Sequence, residues 1–204
     1  MTLITDTRTL DAFCKRLRSA KYITVDTEFM REKTYWPVLC LVQIAGPDEA
    51  AAIDALVPDI NLSSIYELFD DQNILKVFHA ARQDLEIFFH AVGRLPTPVF
   101  DTQIAAMVCG FGDAVGYEQL IAKLNKQLVD KRSRFTDWSI RPLSRRQIDY
   151  ALADVTHLRP AYEKLAKRLA TNNRSSWIDE EMAQLRAPET YSGDPDTAYL
   201  RIKA

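Results

Sequence analysis

Residues 21–53 read KYITVDTEFMREKTYWPVLCLVQIAGPDEAAAI. Within this stretch Lys21–Thr27 carries the β-branched Ile23 and Val25, and Val38–Ala45 (VLCLVQIA) is an almost unbroken apolar run. Such a run suits a strand buried on both faces. Gly46-Pro47-Asp48 is a turn signal, and Ala50–Ile53 follows it as a short third strand. Ahead of these strands, residues 7–19 place Leu10, Phe13, Cys14 and Leu17 on one helical stripe, with Asp6 or Thr7 as the cap. Beyond them, helices and strands alternate. Leu62–Phe69 reads as a helix, Ile74–Phe78 as a strand and Ala81–Val92 as a helix. Val99–Phe100 reads as a short strand leading into a helix through Val108, and Tyr117–Gln127 as a further helix. Ser144-Arg145-Arg146-Gln147 fits a capping box, so a helix follows, and Pro160 is expected to end or kink it. Helical pattern returns up to Leu169 and again over Ser176–Leu185. Strands grouped early and then interleaved with helices predict an α/β domain with a mixed sheet. That class fixes no function.

Composition narrows the options. The chain has 204 residues, 47% hydrophobic and 26% charged, enough for one domain with a real core. No stretch approaches the apolar length of a membrane span, and the N-terminus lacks the pattern of a signal peptide. No membrane partner is therefore expected. Cys14, Cys40 and Cys109 are odd in number and sit in apolar contexts, which suits buried thiols in a reducing, cytoplasmic setting. The net charge of −2 argues against a protein that merely coats nucleic acid. Its distribution is uneven, however. Lys123, Lys126, Lys131, Arg132, Arg134, Arg141, Arg145 and Arg146 face only Asp130 and Asp137 within one window. This run is either a solvated surface or a phosphate-contacting patch.

Three separated segments carry acids in suggestive settings. In Thr24-Val25-Asp26-Thr27-Glu28, strand alternation puts Asp26 and Glu28 on one face. Adjacent carboxylates repel, and a hard divalent cation removes the conflict, although a fraying strand end would also tolerate them. Asp84 falls in the first turn of an apolar helix, a favourable place for a negative charge with or without a ligand. Tyr150 and Asp154 are four apart on a helix among apolar neighbours, so they share a face and need a partner, if only each other. Each piece alone is weak. Together they have one economical explanation: four carboxylates converge on two metal ions about 4 Å apart, which clamp the attacking and leaving oxygens of a phosphodiester.

Three motifs in order then carry a resemblance. VDTEFMREKTYWPVLCLVQIA (25–45), FHAARQDLEIF (78–88) and DYALADVTHL (149–158), with FDTQIAA (100–106) and TDWSIRPLSRRQ (136–147) between them, resemble the DEDDy 3′-5′ exonucleases. Among these they are most similar to the bacterial ribonuclease D family. The resemblance runs over roughly the whole chain. It implies a ribonuclease H-like fold, a mixed five-stranded sheet flanked by helices. It implies that Asp26, Glu28, Asp84 and Asp154 hold two Mg²⁺ or Mn²⁺ ions and that Tyr150 orients or helps deprotonate the attacking water. The expected partners are RNA 3′ ends, tRNA precursors among them, with single-stranded DNA as an alternative substrate. A short-oligonucleotide exonuclease and a non-catalytic RNA-binding module are the rival readings. Ribonuclease D proteins usually continue into helical HRDC domains, whereas this sequence ends in a stretch resembling the linker before them. The expected organisation is an exonuclease domain over 1–186 and a loose extension over 187–204, with HRDC domains absent.

Candidate substrate contacts remain open on sequence alone. Phe29 stacks on the terminal base or packs in the core. His79 is a substrate contact or a core histidine. Arg134, Trp138 and Arg141 guide the strand or belong to the scaffold. Gln43 is a hydrogen-bonder within the sheet or a substrate contact, and its apolar strand favours the former.

Overall fold

Strand alternation explains how one segment serves both core and site. In β2 (Tyr22–Met30), Ile23 and Val25 are fully buried in the main core, and Thr24, Asp26 and Glu28 take the other face. The protein is described here by a computed structural model, covering residues 2–130, 133, 136–172, 174–193 and 195–196. β2 runs antiparallel to β3 (Val38–Ala45), which pairs antiparallel with β4 (Ala50–Asp54). On its other side β2 pairs in parallel with β5 (Leu75–Phe78), and β5 with β6 (Val99–Asp101). As expected, β3 is buried on both faces from Cys40 to Ala45.

The sheet has six strands rather than the five expected. The extra one is β1 (Thr2–Ile4), which adds in parallel to the edge of β4 and buries Ile4. The complete order is β1-β4-β3-β2-β5-β6. Three residues hold too little pattern to announce a strand.

Helices cover both faces. On one side lie α1 (Thr7–Leu17), α2 (Ser63–Asp70) and α3 (Arg82–Val92), whose Leu10, Phe13, Leu17, Ile65, Leu68, Leu85 and Phe88 pack on Ile23, Val25, Val42, Ile44 and Ile53. Asp6 caps α1, accepting from the Thr9 amide at 2.8 Å. On the other side α6 (Arg145–Thr171) lies across β2, β3 and β4. It packs also against α4 (Thr102–Val108) and α5 (Tyr117–Asn125), while α7 (Ser175–Arg186) packs on α4. The predicted capping box is present at Ser144 and Gln147. α6 does not end at Pro160. A proline inside a helix costs roughly 3 kcal/mol. Burial of Ala151, Leu152, Val155, Leu158, Ala161, Leu165 and Leu169 along this helix outweighs that.

Of the stretch from Ala187 expected as an extension, only residues 187–193 and 195–196 are described. A short 3₁₀ turn over Pro188–Thr190 returns Tyr191 to the main core, where its ring meets Phe89 and its hydroxyl donates to the Leu185 carbonyl at 2.9 Å. Gln43 is fully buried, yet among the described residues neither end of its amide has a hydrogen-bond partner, so the expected bonding within the sheet is not formed. Among the described residues no helix is long and apolar enough to cross a membrane.

Candidate active site

The three acidic segments meet where β2 passes beneath α6. Carboxylate oxygens of Asp26 and Glu28 on β2 and of Asp154 on α6 all lie within 4.8 Å of one another. The β2–β3 register shifts between Glu28 and Phe29, where Cys40 of β3 is the extra, bulged residue opposite them. Bulges of this kind re-aim side chains beside functional sites. Asp84 approaches from the first turn of α3, and its Oδ1 accepts a hydrogen bond from Thr27 Oγ1 at 2.5 Å. Asp26, Asp84, Asp154 and Tyr150 line one cavity of about 550 Å³.

Such a cluster is electrostatically costly. Burial, and after it the charge of Asp154, pushes the Asp26 carboxyl well above the usual carboxylate range. Burial, and then the charge of Asp26, does the same to Asp84. Burial together with Asp154, Glu28 and Asp26 raises the Tyr150 phenol, which also hydrogen-bonds Asp154. Tyr150 is therefore a neutral hydroxyl at physiological pH, able to donate and accept but not a standing phenolate. An all-oxygen donor set of mutually repelling carboxylates, Asp84 and Asp154 buried and Asp26 and Glu28 half-buried, is what a hard divalent cation requires, so these residues fit Mg²⁺ or Mn²⁺.

Over residues 1–170 the sequence matches the family model described as 3′-5′ exonuclease. The chain belongs to the 3′-5′ exonuclease family. It is 54% identical over 202 residues to ribonuclease D of Granulibacter bethesdensis, covering 99% of this chain and 51% of that protein. Its fold superposes on the crystal structure of Escherichia coli RNase D with a TM-score of 0.89 at 34% identity, over 98% of this chain and 53% of that one. The fold is therefore ribonuclease H-like, and the chain spans about half the length of these relatives. Brucella melitensis NrnC with bound Mg²⁺ matches at a TM-score of 0.79 and 26% identity, over 99% of this chain and 96% of NrnC.

Of the candidate substrate contacts, Phe29 and His79 line the acidic cavity. His79 is held by a 3.0 Å contact between Nδ1 and Thr102 Oγ1 and by the edge of the Tyr117 ring. Trp138 is not a strand guide. It is 2% exposed and packs with Ala151 and Leu152 beside the Tyr150 ring. Arg141 is likewise part of the scaffold. Its guanidinium grips Asp54 at 2.6 and 2.7 Å and donates to the Trp138 and Cys40 carbonyls at 2.6 and 3.1 Å. A guanidinium so engaged has little left for phosphate. Arg134 lies outside the described residues, as do Lys131 and Arg132. The basic run is further divided by partners: Lys123 sits over the Phe111 ring and Arg145 pairs with Asp149.

Gln83, Gln103, Tyr117, Glu118 and Gln119 also line the cavity and were not anticipated. Gln83 adjoins Asp84 in the second motif and was within reach of sequence reasoning. The others depend on the packing of α4 and α5 against α6, for which no sequence signal exists.

Proposed function

We propose that this chain is a 3′→5′ exoribonuclease of the ribonuclease D type, releasing nucleoside 5′-monophosphates from RNA 3′ ends. Asp26, Glu28, Asp84 and Asp154 hold two divalent ions, Mg²⁺ or Mn²⁺, and Tyr150 orients the attacking water. The observation that carries this reading is the clustering of Asp26, Glu28 and Asp154 oxygens within 4.8 Å, with Asp84 on the wall of the same cavity. When bound, the ions supply neutralisation of the acids and activation of water for attack on phosphorus. The protein's own groups do the positioning. Thr27 fixes Asp84 by its hydroxyl. Tyr150, neutral and hydrogen-bonded to Asp154, presents its oxygen to the attacking water. Phe29 stacks on the terminal base.

Likeness to ribonuclease D over nearly the whole chain supports RNA as substrate, with tRNA precursors among the targets. A second reading, clearance of very short oligonucleotides, is favoured by the nearly end-to-end match with NrnC, one of whose structures is bound to pGG. The three buried thiols suit a reducing, cytoplasmic setting. Residues 1–186 form the exonuclease domain on this reading, with Tyr191 packed back on its core. A time course on matched RNA, DNA and dinucleotide substrates, with Mg²⁺ and with chelator, tests the proposal. Mononucleotides should appear from the RNA 3′ end only with metal. Exclusive turnover of dinucleotide would select the second reading, and a protein that binds RNA but never cleaves it would remove both.

A further inference from the structure

The position of Asp154 depends on where α6 sits relative to β2, and two hydroxyls from different elements grip α6 at that turn. Thr24, two residues before Asp26 on the same face of β2, donates from Oγ1 to the Val155 carbonyl at 2.7 Å and is fully buried. Tyr117, the first residue of α5, places its hydroxyl 2.7 Å from the Asp154 carbonyl and 3.2 Å from that of Ala153. Three consecutive helical carbonyls thus receive bonds from outside the helix, using the second lone pair that a carbonyl offers. This stretch adjoins a fault in the helix's own ladder. Pro160 has no N–H, so the Thr156 carbonyl loses its usual donor.

We propose that Thr24 and Tyr117 are positioning residues. They form a two-point clamp that locks the axial setting of α6 on β2, so that the Asp154 carboxylate meets Asp26 and Glu28. The inference rests on the metal-dependent reading above. Neither hydroxyl touches substrate or metal in this role. Both act through the backbone of the residue that does.

The test uses Thr24→Val and Tyr117→Phe, which remove a hydroxyl and keep the bulk. Tyr22→Phe is the control. The Tyr22 hydroxyl also joins β2 to α6, at Glu163 Oε1 and 2.5 Å, but nine residues beyond Asp154. Mn²⁺ affinity by calorimetry, steady-state kinetics on an RNA oligonucleotide and melting in chelator are measured for each. Groups that support metal ligands typically change affinity or activity by about 10-fold or more when removed. Each clamp variant should therefore weaken Mn²⁺ binding about 10-fold and lower kcat with KM for RNA little changed. Thr24→Ser, which retains the hydroxyl, should restore both. Tyr22→Phe should alter melting alone. Clamp variants with wild-type Mn²⁺ affinity and kcat, or losses no greater than those of Tyr22→Phe, would overturn the proposal. A wild-type protein that takes up no Mn²⁺ would overturn the proposed function, and the clamp with it.

Discussion

Replacing Asp26 by Asn should make the metal-free protein more stable and its metal response vanish. Oxygens of Asp26, Glu28 and Asp154 lie within 4.8 Å of one another. Two full charges at that separation repel by roughly 3.5 kcal/mol at an effective dielectric of about 20. The metal-free site escapes part of this by taking up protons, as the raised Asp26 and Asp84 carboxyls indicate. A net relief of about 2 kcal/mol is then expected from Asp26→Asn, equal to a melting point about 4–8 °C higher in chelator for a domain of this size. The wild type should instead gain from metal. At 100 times the dissociation constant, one ion adds about 2.7 kcal/mol. Differential scanning fluorimetry of both proteins, in chelator and in a Mg²⁺ series, reads all four quantities. A variant that melts below wild type in chelator, or that gains as much from Mg²⁺, would refute the reasoning.

The same difference should depend on pH. Asp26 and Asp84 have folded-state values above the ordinary 3.8, so the folded metal-free protein holds more protons than the unfolded chain just above that pH. Their charging costs stability as pH rises, so the advantage of Asp26→Asn should shrink toward pH 4 and grow toward neutrality; an advantage that widens on acidification would be the wrong sign. Tyr150→Phe should slow turnover about 10- to 100-fold, the equivalent of one hydrogen bond to a charged group, and by more than it weakens Mn²⁺ binding in calorimetry; an affinity loss as large as the loss in turnover would make Tyr150 a support for the metal site instead. Arg141→Ala should lower stability by roughly 3 kcal/mol in urea unfolding, because Asp54 is left buried without its partner, and should leave the salt dependence of RNA binding unchanged. Gln43→Leu should be neutral or raise the melting point, since an unpartnered buried amide is replaced by an apolar group; a clear loss would show that the amide has a partner in solution.

What the sequence made legible was what repeats or alternates. The period of two in β2 separated Ile23 and Val25 from Asp26 and Glu28, and the four-residue spacing in α6 put Tyr150 and Asp154 on one face. Convergence of these acids was an inference from chemistry, because nothing local to Asp84 says that Thr27 will meet it. The failures share a cause. Arg141 and Trp138 looked like nucleic-acid contacts because sequence displays a charge and a ring but not their partners. Asp54 lies 87 positions from Arg141. Tyr191 sat in a polar stretch, and only the folded core offers Phe89 to its ring. Pro160 argued locally against a helix that tertiary burial sustains.

The claim beneath all of this is that the acids are gathered for metal. Crystals of the protein grown or soaked with Mn²⁺ would answer it through an anomalous difference map. Two peaks should appear, each touching carboxylates from Asp26, Glu28, Asp84 and Asp154. A map with no peak there at millimolar Mn²⁺, with the side chains otherwise ordered, would contradict it.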